Sequence, residues 1–132
     1  MNVGELVSKR ALTYPKGPFL KEEGERSFTN SEFNERVNRM THALAAWGVG
    51  RGERVAVLMA NTSEFLEIFF ACAKTGAIMV PLNFRLAVPE LAFIHQPTLS
   101  EPVNVMSFTL SSLMSGSASS LEPSRTDIAP LG

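Results

Sequence analysis

The sequence predicts an α/β protein built on a parallel βαβ unit and followed by a disordered tail. Three observations predict it. RVAVLM (54–59) and AIMVPL (77–82) are short apolar runs that read as buried strands. Between them, NTSEFLEIFFACAKTG (61–76) opens with Asn61 and Glu64, a capping pattern, and closes at Gly76, which marks a helix. Two apolar strands joined by such a helix imply a parallel pair with a right-handed crossover, in a sheet covered on both faces. After Ile94 the punctuation stops. Residues 95–132 contain nine serines, four prolines and four charges, Glu101, Glu122, Arg125 and Asp127, with no sustained period. That composition predicts a low-complexity Ser/Pro-rich tail, so the chain divides into an ordered part, 1–94, and a tail, 95–132.

The elements follow in order. MNVGELVSKR places Glu5, Lys9 and Arg10 where an export signal needs an unbroken apolar stretch. FTNSEFNERVNRMTHALAAWGVG then starts a helix at Thr29, with Glu32 three residues on as a capping box and Phe28 and Phe33 as a hydrophobic staple. Phe33, Val37, Met40, Leu44 and Trp47 repeat at spacings of four and three, which stacks them on a core-facing stripe. His42 falls off the stripe with no acid or nucleophile beside it, as expected of a surface or boundary histidine.

Gly48, Gly50 and Gly52 precede the first strand of the unit. A phosphate loop needs the opposite order, strand, glycines, then helix, because the anion sits on a helix N-terminus. These glycines are therefore expected to end a helix and turn the chain, with Gly48 at the left-handed C′ position and Val49 touching Leu44 in a Schellman ending. On the next helix, Glu64, Glu67 and Lys74 are expected to share a narrow solvent face. Phe65, Leu66, Ile68, Phe69, Phe70, Cys72 and Ala73 are left for burial, and Cys72 is expected to be an inert core thiol.

Composition excludes several functions. Twelve basic against thirteen acidic residues give a net charge of -1, with no basic excess to favour nucleic acid or an anionic membrane surface. The only cysteine excludes an internal disulfide, and with His42 and His95 the only histidines a protein-built zinc site is not expected. Residues 65–82 are interrupted by Glu67, Lys74 and Gly76, and 102–121 hold seven serines, so neither reads as a transmembrane segment. A reducing, cytoplasmic setting is the expectation.

GVGRGERVAVLMANTSEFLEIFFACAKTGAIMVPLNFRLAVPELAFI (48–94), with FTNSEFNERVNRMTHALAAW upstream, resembles the N-terminal region of the AMP-forming acyl-CoA synthetases, in the adenylate-forming ligase superfamily. The resemblance covers about residues 1–94 and implies a partial N-terminal subdomain of that large domain. VPLNFRL (80–86) is similar to the acyl-CoA synthetase branch, where peptide-synthetase adenylation domains usually carry Asp-Pro and Tyr-Pro. Asn83 and Arg85 are read as fixing the turn after a strand rather than touching substrate.

The resemblance also implies a reaction: a fatty or other carboxylic acid is joined to AMP using ATP and magnesium, and the acyl group then passes to coenzyme A. The family's phosphate loop is a Ser/Thr/Gly-rich stretch ending in Gly-x-Pro-Lys. Here MSGSASS (114–120) lacks that ending, and the last lysine of the chain is Lys74. The ribose-binding aspartate region, the magnesium-binding glutamate motif, the hinge and the lysine-bearing C-terminal domain have no counterpart. No residue is assigned as catalytic, cofactor-binding or metal-binding. SEPVNVM (100–106) is faintly similar to the family's next strand, which hints at a frameshift around His95–Leu99, and His95 receives no role. Three readings remain open: an inactive N-terminal fragment, an interaction module that self-associates or completes a split synthetase, and an erroneous or decayed gene.

Overall fold

A computed structural model describes residues 2–24, 26–82, 85, 87, 89 and 90, together with the backbone of 103–107. The elements run α1 (Val3–Thr13), β1 (Pro18–Lys21), β2 (Ser27–Thr29), α2 (Asn30–Ala46), β3 (Arg54–Leu58), α3 (Ser63–Thr75), β4 (Ile78–Leu82) and β5 (Val103–Ser107). β1 and β2 form an antiparallel hairpin, while β4, β3 and β5 form a parallel sheet with β3 in the middle.

The parallel unit forms as its sequence predicts. Arg54 to Leu58 pair in register with Ile78 to Leu82, and α3 makes the crossover between the two strands. Val55 and Val57 are completely buried against Ile68, Ala71 and Cys72 of α3, with Met40 and Leu44 of α2 in the same cluster. Each such aliphatic side chain contributes about 1.5–3 kcal/mol on burial.

A second cluster joins the N-terminal elements to this unit. Val7, Phe33 and Val37 are buried, with Phe19, Leu20, Phe28, Leu66 and Phe70 packed around them. The Phe33 ring stacks on Phe19 at 4.2 Å and meets Phe70 edge-on at 6.1 Å. α1 begins at Asn2, whose side chain accepts from the Gly4 amide and donates to the Ala73 carbonyl of α3. Gly4 permits that approach, because a Cβ there would lie 2.7 Å from the Lys74 backbone nitrogen.

The helix termini are partly as expected. Thr29 and Glu32 form the complete capping box on α2. At its other end the Val49 amide donates to the Leu44 carbonyl and the Gly48 amide to that of Ala45, the two bonds of a Schellman motif, with Gly48 at φ +85°. α3 differs from expectation: its N-cap is Thr62 rather than Asn61, and no side chain of the cap residue bonds the first turn. Its end at Gly76, φ +78°, is as read.

One further expectation is refined and one corrected. β5 overlaps SEPVNVM (100–106), the stretch similar to the family's next strand, so this part of the 95–132 segment, expected to be a disordered tail, is a strand, and it pairs in parallel with β3 from Arg54–Val103 to Leu58–Ser107. The reason is that β3 carries a second edge of backbone donors and acceptors, which a short stretch such as VNVMS can satisfy whatever its flanking composition. The rest of that tail lies outside the described residues. The supposed solvent face of α3 is also not solvent: Glu67 is 4% exposed, whereas Phe69, expected to be buried, is 41% exposed.

The caps make a direct comparison. Thr29→Ala is expected to cost about 1 kcal/mol by loss of the capping box, and Asn61→Ala, at an exposed non-cap position, less than about 0.5 kcal/mol. Urea denaturation of the two variants checks the order; equal losses would return the cap to Asn61.

Candidate functional site

In an open parallel sheet, ligands are bound beyond the carboxyl ends of the strands, where the strand order switches direction. The order β4-β3-β5 places that switch between β3 and β5. The elements at this edge are the turn Met59–Thr62 after β3 and the segment that follows Leu82 of β4. Met59 is buried in the core cluster, and the Thr62 hydroxyl oxygen is shielded without a hydrogen-bond partner among the described residues. After β4, Arg85 is exposed in a turn, and the Ala87 amide donates to the Glu90 carboxylate at 2.8 Å. Asn83 lies outside the described residues, as do His95 and residues 114–120.

The three glycines stand at the opposite, amino edge. The Gly52 amide donates to the Gly76 carbonyl at 2.9 Å and the Ile78 amide to that of Glu53 at 2.7 Å, which ties the loop to the start of β4. Their position agrees with turning rather than anion binding. His42 is exposed on α2. Cys72 is buried, and burial pushes its thiol up to about 11, so it stays protonated and unreactive at neutral pH.

The polar groups that the sequence reading missed lie between helices. Lys74 Nζ donates to Ser8 Oγ at 2.9 Å, Asn34 Oδ1 at 3.0 Å and Asn38 Oδ1 at 2.7 Å, one ammonium joining α1, α2 and α3. Desolvation holds its pKa below the usual lysine value. About two to three turns earlier on α3, Arg26 Nη2 donates to Glu64 Oε1 at 2.7 Å, and Arg36 Nε donates to Glu67 Oε1. Both guanidiniums lie over the Phe28 ring, at 5.3 and 4.9 Å from its centroid.

The two carboxylates respond in opposite directions. Burial opposes ionisation of Glu64, but the Arg26 hydrogen bond and charge outweigh it and leave its pKa lowered. Burial dominates at Glu67 and leaves its pKa raised, although Arg36 pulls the other way. The signal that could have found this network is the match between polar stripes: Asn34 and Asn38 on α2 recur at helical spacing, as do Glu67 and Lys74 on α3.

Chemically, these groups are engaged with one another. Among the described residues, no three His, Cys, Asp or Glu side chains are grouped to hold a metal ion, and no helix is long and apolar enough to cross a membrane. Lys74 is committed to three helices and the glycine loop sits at the wrong edge.

The architecture defines a class, the open parallel α/β fold with its ligand edge at the strand ends. Residues 7–118 match the AMP-binding enzyme family, and the chain belongs to that family. It is 38% identical over 103 residues to a long-chain-fatty-acid–CoA ligase, FadD13, of Mycobacterium tuberculosis, covering 77% of this chain and 20% of that protein. Feruloyl-CoA synthase of an Amycolatopsis species is 39% identical over 111 residues, covering 76% and 22%. The inhibitor-bound N-terminal domain of FACL13 from Mycobacterium tuberculosis superimposes with a TM-score of 0.73 at 31% identity, over 92% of this chain and 31% of that one. O-succinylbenzoate coenzyme A synthetase of Bacillus subtilis, solved with ATP and magnesium, gives 0.70 at 26% identity, over 79% and 28%. The chain spans about a fifth of the length of the curated relatives it matches.

Arg36→Ala leaves the Glu67 carboxylate buried without its partner. The expected loss at neutral pH is about 1–3 kcal/mol, less than for a fully buried pair because Arg36 is a third exposed. Because the folded-state pKa of Glu67 is raised, its charge penalty is absent below the ordinary carboxylate range and grows as pH rises through the folded value. The loss should therefore shrink on acidification. Denaturation at neutral and acidic pH measures it, and a pH-independent loss would assign the effect to packing of the Arg36 stem.

Proposed function

We propose that this chain is the N-terminal part of an AMP-forming acyl-CoA synthetase, and that alone it does not adenylate. In the whole enzyme the reaction would join a fatty or other carboxylic acid to coenzyme A, with ATP converted to AMP and pyrophosphate. The observation that carries the reading is the shared architecture of α1 through β5, 31% identical to the N-terminal domain of FACL13 over 92% of this chain. Relatives of similar identity carry names with different acids, a long-chain fatty acid and ferulate among them, so identity at this level does not select the acid. A cytoplasmic setting is consistent with a reduced, buried Cys72.

Adenylation requires ATP phosphates, magnesium and the carboxylate to be held together by preorganised charges, and loss of even one preorganised donor from an oxyanion hole costs about 2.7–4 kcal/mol. The purified chain is expected to give no acid-dependent exchange between pyrophosphate and ATP. Robust exchange with a common fatty acid, in a preparation cleared of host ligases, would overturn this.

A second reading, half of a split synthetase or a non-catalytic interaction module, is favoured by the open sheet. The outer edges of β4 and β5 have no strand partner among the described residues, and Ile78 on β4 is half exposed. Such edges favour self-association or docking to a complementary synthetase fragment, and a net charge near zero adds little repulsion. The isolated chain is expected to self-associate in light scattering and to become monodisperse when co-expressed with the remainder of a related synthetase. A sharp monomer with cooperative unfolding would instead favour a self-sufficient binding module.

A further inference from the structure

The first turn of α3 has a weak cap of its own. Thr62 is extended at the N-cap position with no side-chain bond to the helix, and the Leu66 amide reaches the Thr62 carbonyl at a long 3.4 Å. The four leading amides of a helix need partners from elsewhere. One comes from 41 residues away: Glu22 Oε1 accepts from the Ser63 amide at 2.5 Å, placing a carboxylate at the positive end of the helix.

Glu22 belongs to the tip of the β1–β2 hairpin, which closes through its own amide donating to the Arg26 carbonyl at 2.7 Å. Across that tip, Arg26 Nη1 lies 3.6 Å from Glu22 Oε2, and Arg26 Nη2 donates to Glu64 on α3. Arg36 of α2 approaches the same Glu64 oxygen at 3.7 Å and pairs with Glu67. The hairpin tip thus grips the start of α3 through charges, at a place where Arg26 is 45% exposed. The later part of α3 is held by Ile68, Ala71 and Cys72 in the apolar core, while Phe65 and Leu66 pack against the two apolar clusters beside the charged grip.

We propose that the β1–β2 hairpin is an electrostatic strap on the start of α3: Glu22 and Arg26 supply the charges that hold its first turn in order, beside the apolar packing of Phe65 and Leu66. The consequence is a local opening of the first turn, distinct from global unfolding, when the strap is released. The inference goes beyond the adenylation reading and stands whether or not the chain takes part in that reaction. Salt isolates the strap better than acid does, since Glu64 and Glu67 are shifted in opposite directions and Arg26 and Arg36 face both.

Amide hydrogen exchange on the full chain tests this. In Glu22→Ala, and in Arg26→Ala, the Ser63 and Leu66 amides are expected to exchange about tenfold faster or more, as befits loss of a charge-assisted hydrogen bond, with those of 68–72 unchanged. Glu22→Gln, which keeps an acceptor oxygen but loses the charge, should fall between. In the unaltered chain, salt raised to about 1 M, where the Debye length is about 3 Å, should accelerate the same two amides. Unchanged exchange at Ser63 and Leu66 in both alanine variants, or equal acceleration through Cys72, would overturn the proposal. Should the variants fail to fold, the salt series decides: acceleration confined to Ser63 and Leu66 supports the strap, and none rejects it.

Discussion

Parallel strands cannot be joined by a tight turn, so the pairing of β3 with β4 requires a crossover long enough to return the chain to the same end of the sheet. α3 meets that requirement, and its placement dictates much of what surrounds it. Its apolar side must close over Val55 and Val57, and its remaining surface must be compatible with α1 and α2, which pack on it in turn. The sequence of α3 is a compromise between these demands. Ile68, Ala71 and Cys72 serve the sheet, Leu66 and Phe70 serve the N-terminal cluster, and Glu64, Glu67 and Lys74 serve the helix contacts.

Those helix contacts explain why charged residues occur where an amphipathic helix should be dry. Lys74 is held by three neutral oxygens rather than by a carboxylate, so its charge is solvated by side chains on two other helices. Glu67 is more deeply buried and depends on Arg36. Such pairs are costly to desolvate and their net contribution to stability is small or negative against apolar packing. They do select one arrangement of the helices, because shifting α2 by a turn would separate Asn34, Arg36 and Asn38 from their partners at once.

The family match, over residues 7–118, includes the elements that build the sheet and its flanking helices. The carboxyl edge of the described sheet carries the Met59–Thr62 turn on one side of the switch point. The charged groups of α3, Glu64, Glu67 and Lys74, are engaged in joining that helix to the hairpin, α1 and α2.

The local elements were legible in the sequence because their determinants are short-range. The Thr29–Glu32 box, the Gly48 ending and the apolar runs 54–59 and 77–82 each need only a few neighbouring residues to act. Phe33, Val37, Met40 and Leu44 were recognisable as core from helical spacing alone. Tertiary structure decided the rest. Which face of α3 meets solvent depended on the complementary oxygens and guanidiniums brought by α1 and α2, so Glu67 went inside and Phe69 outside. The cap on α3 came from Glu22, 41 residues distant, where local pattern pointed to Asn61. Strand β5 overlaps SEPVNVM, whose resemblance to the family's next strand was faint amid serines and prolines, and its pairing was fixed by the free edge that β3 offers. Periodicity reports what a residue's own element prefers; partners brought from elsewhere in the chain are fixed only when the elements pack.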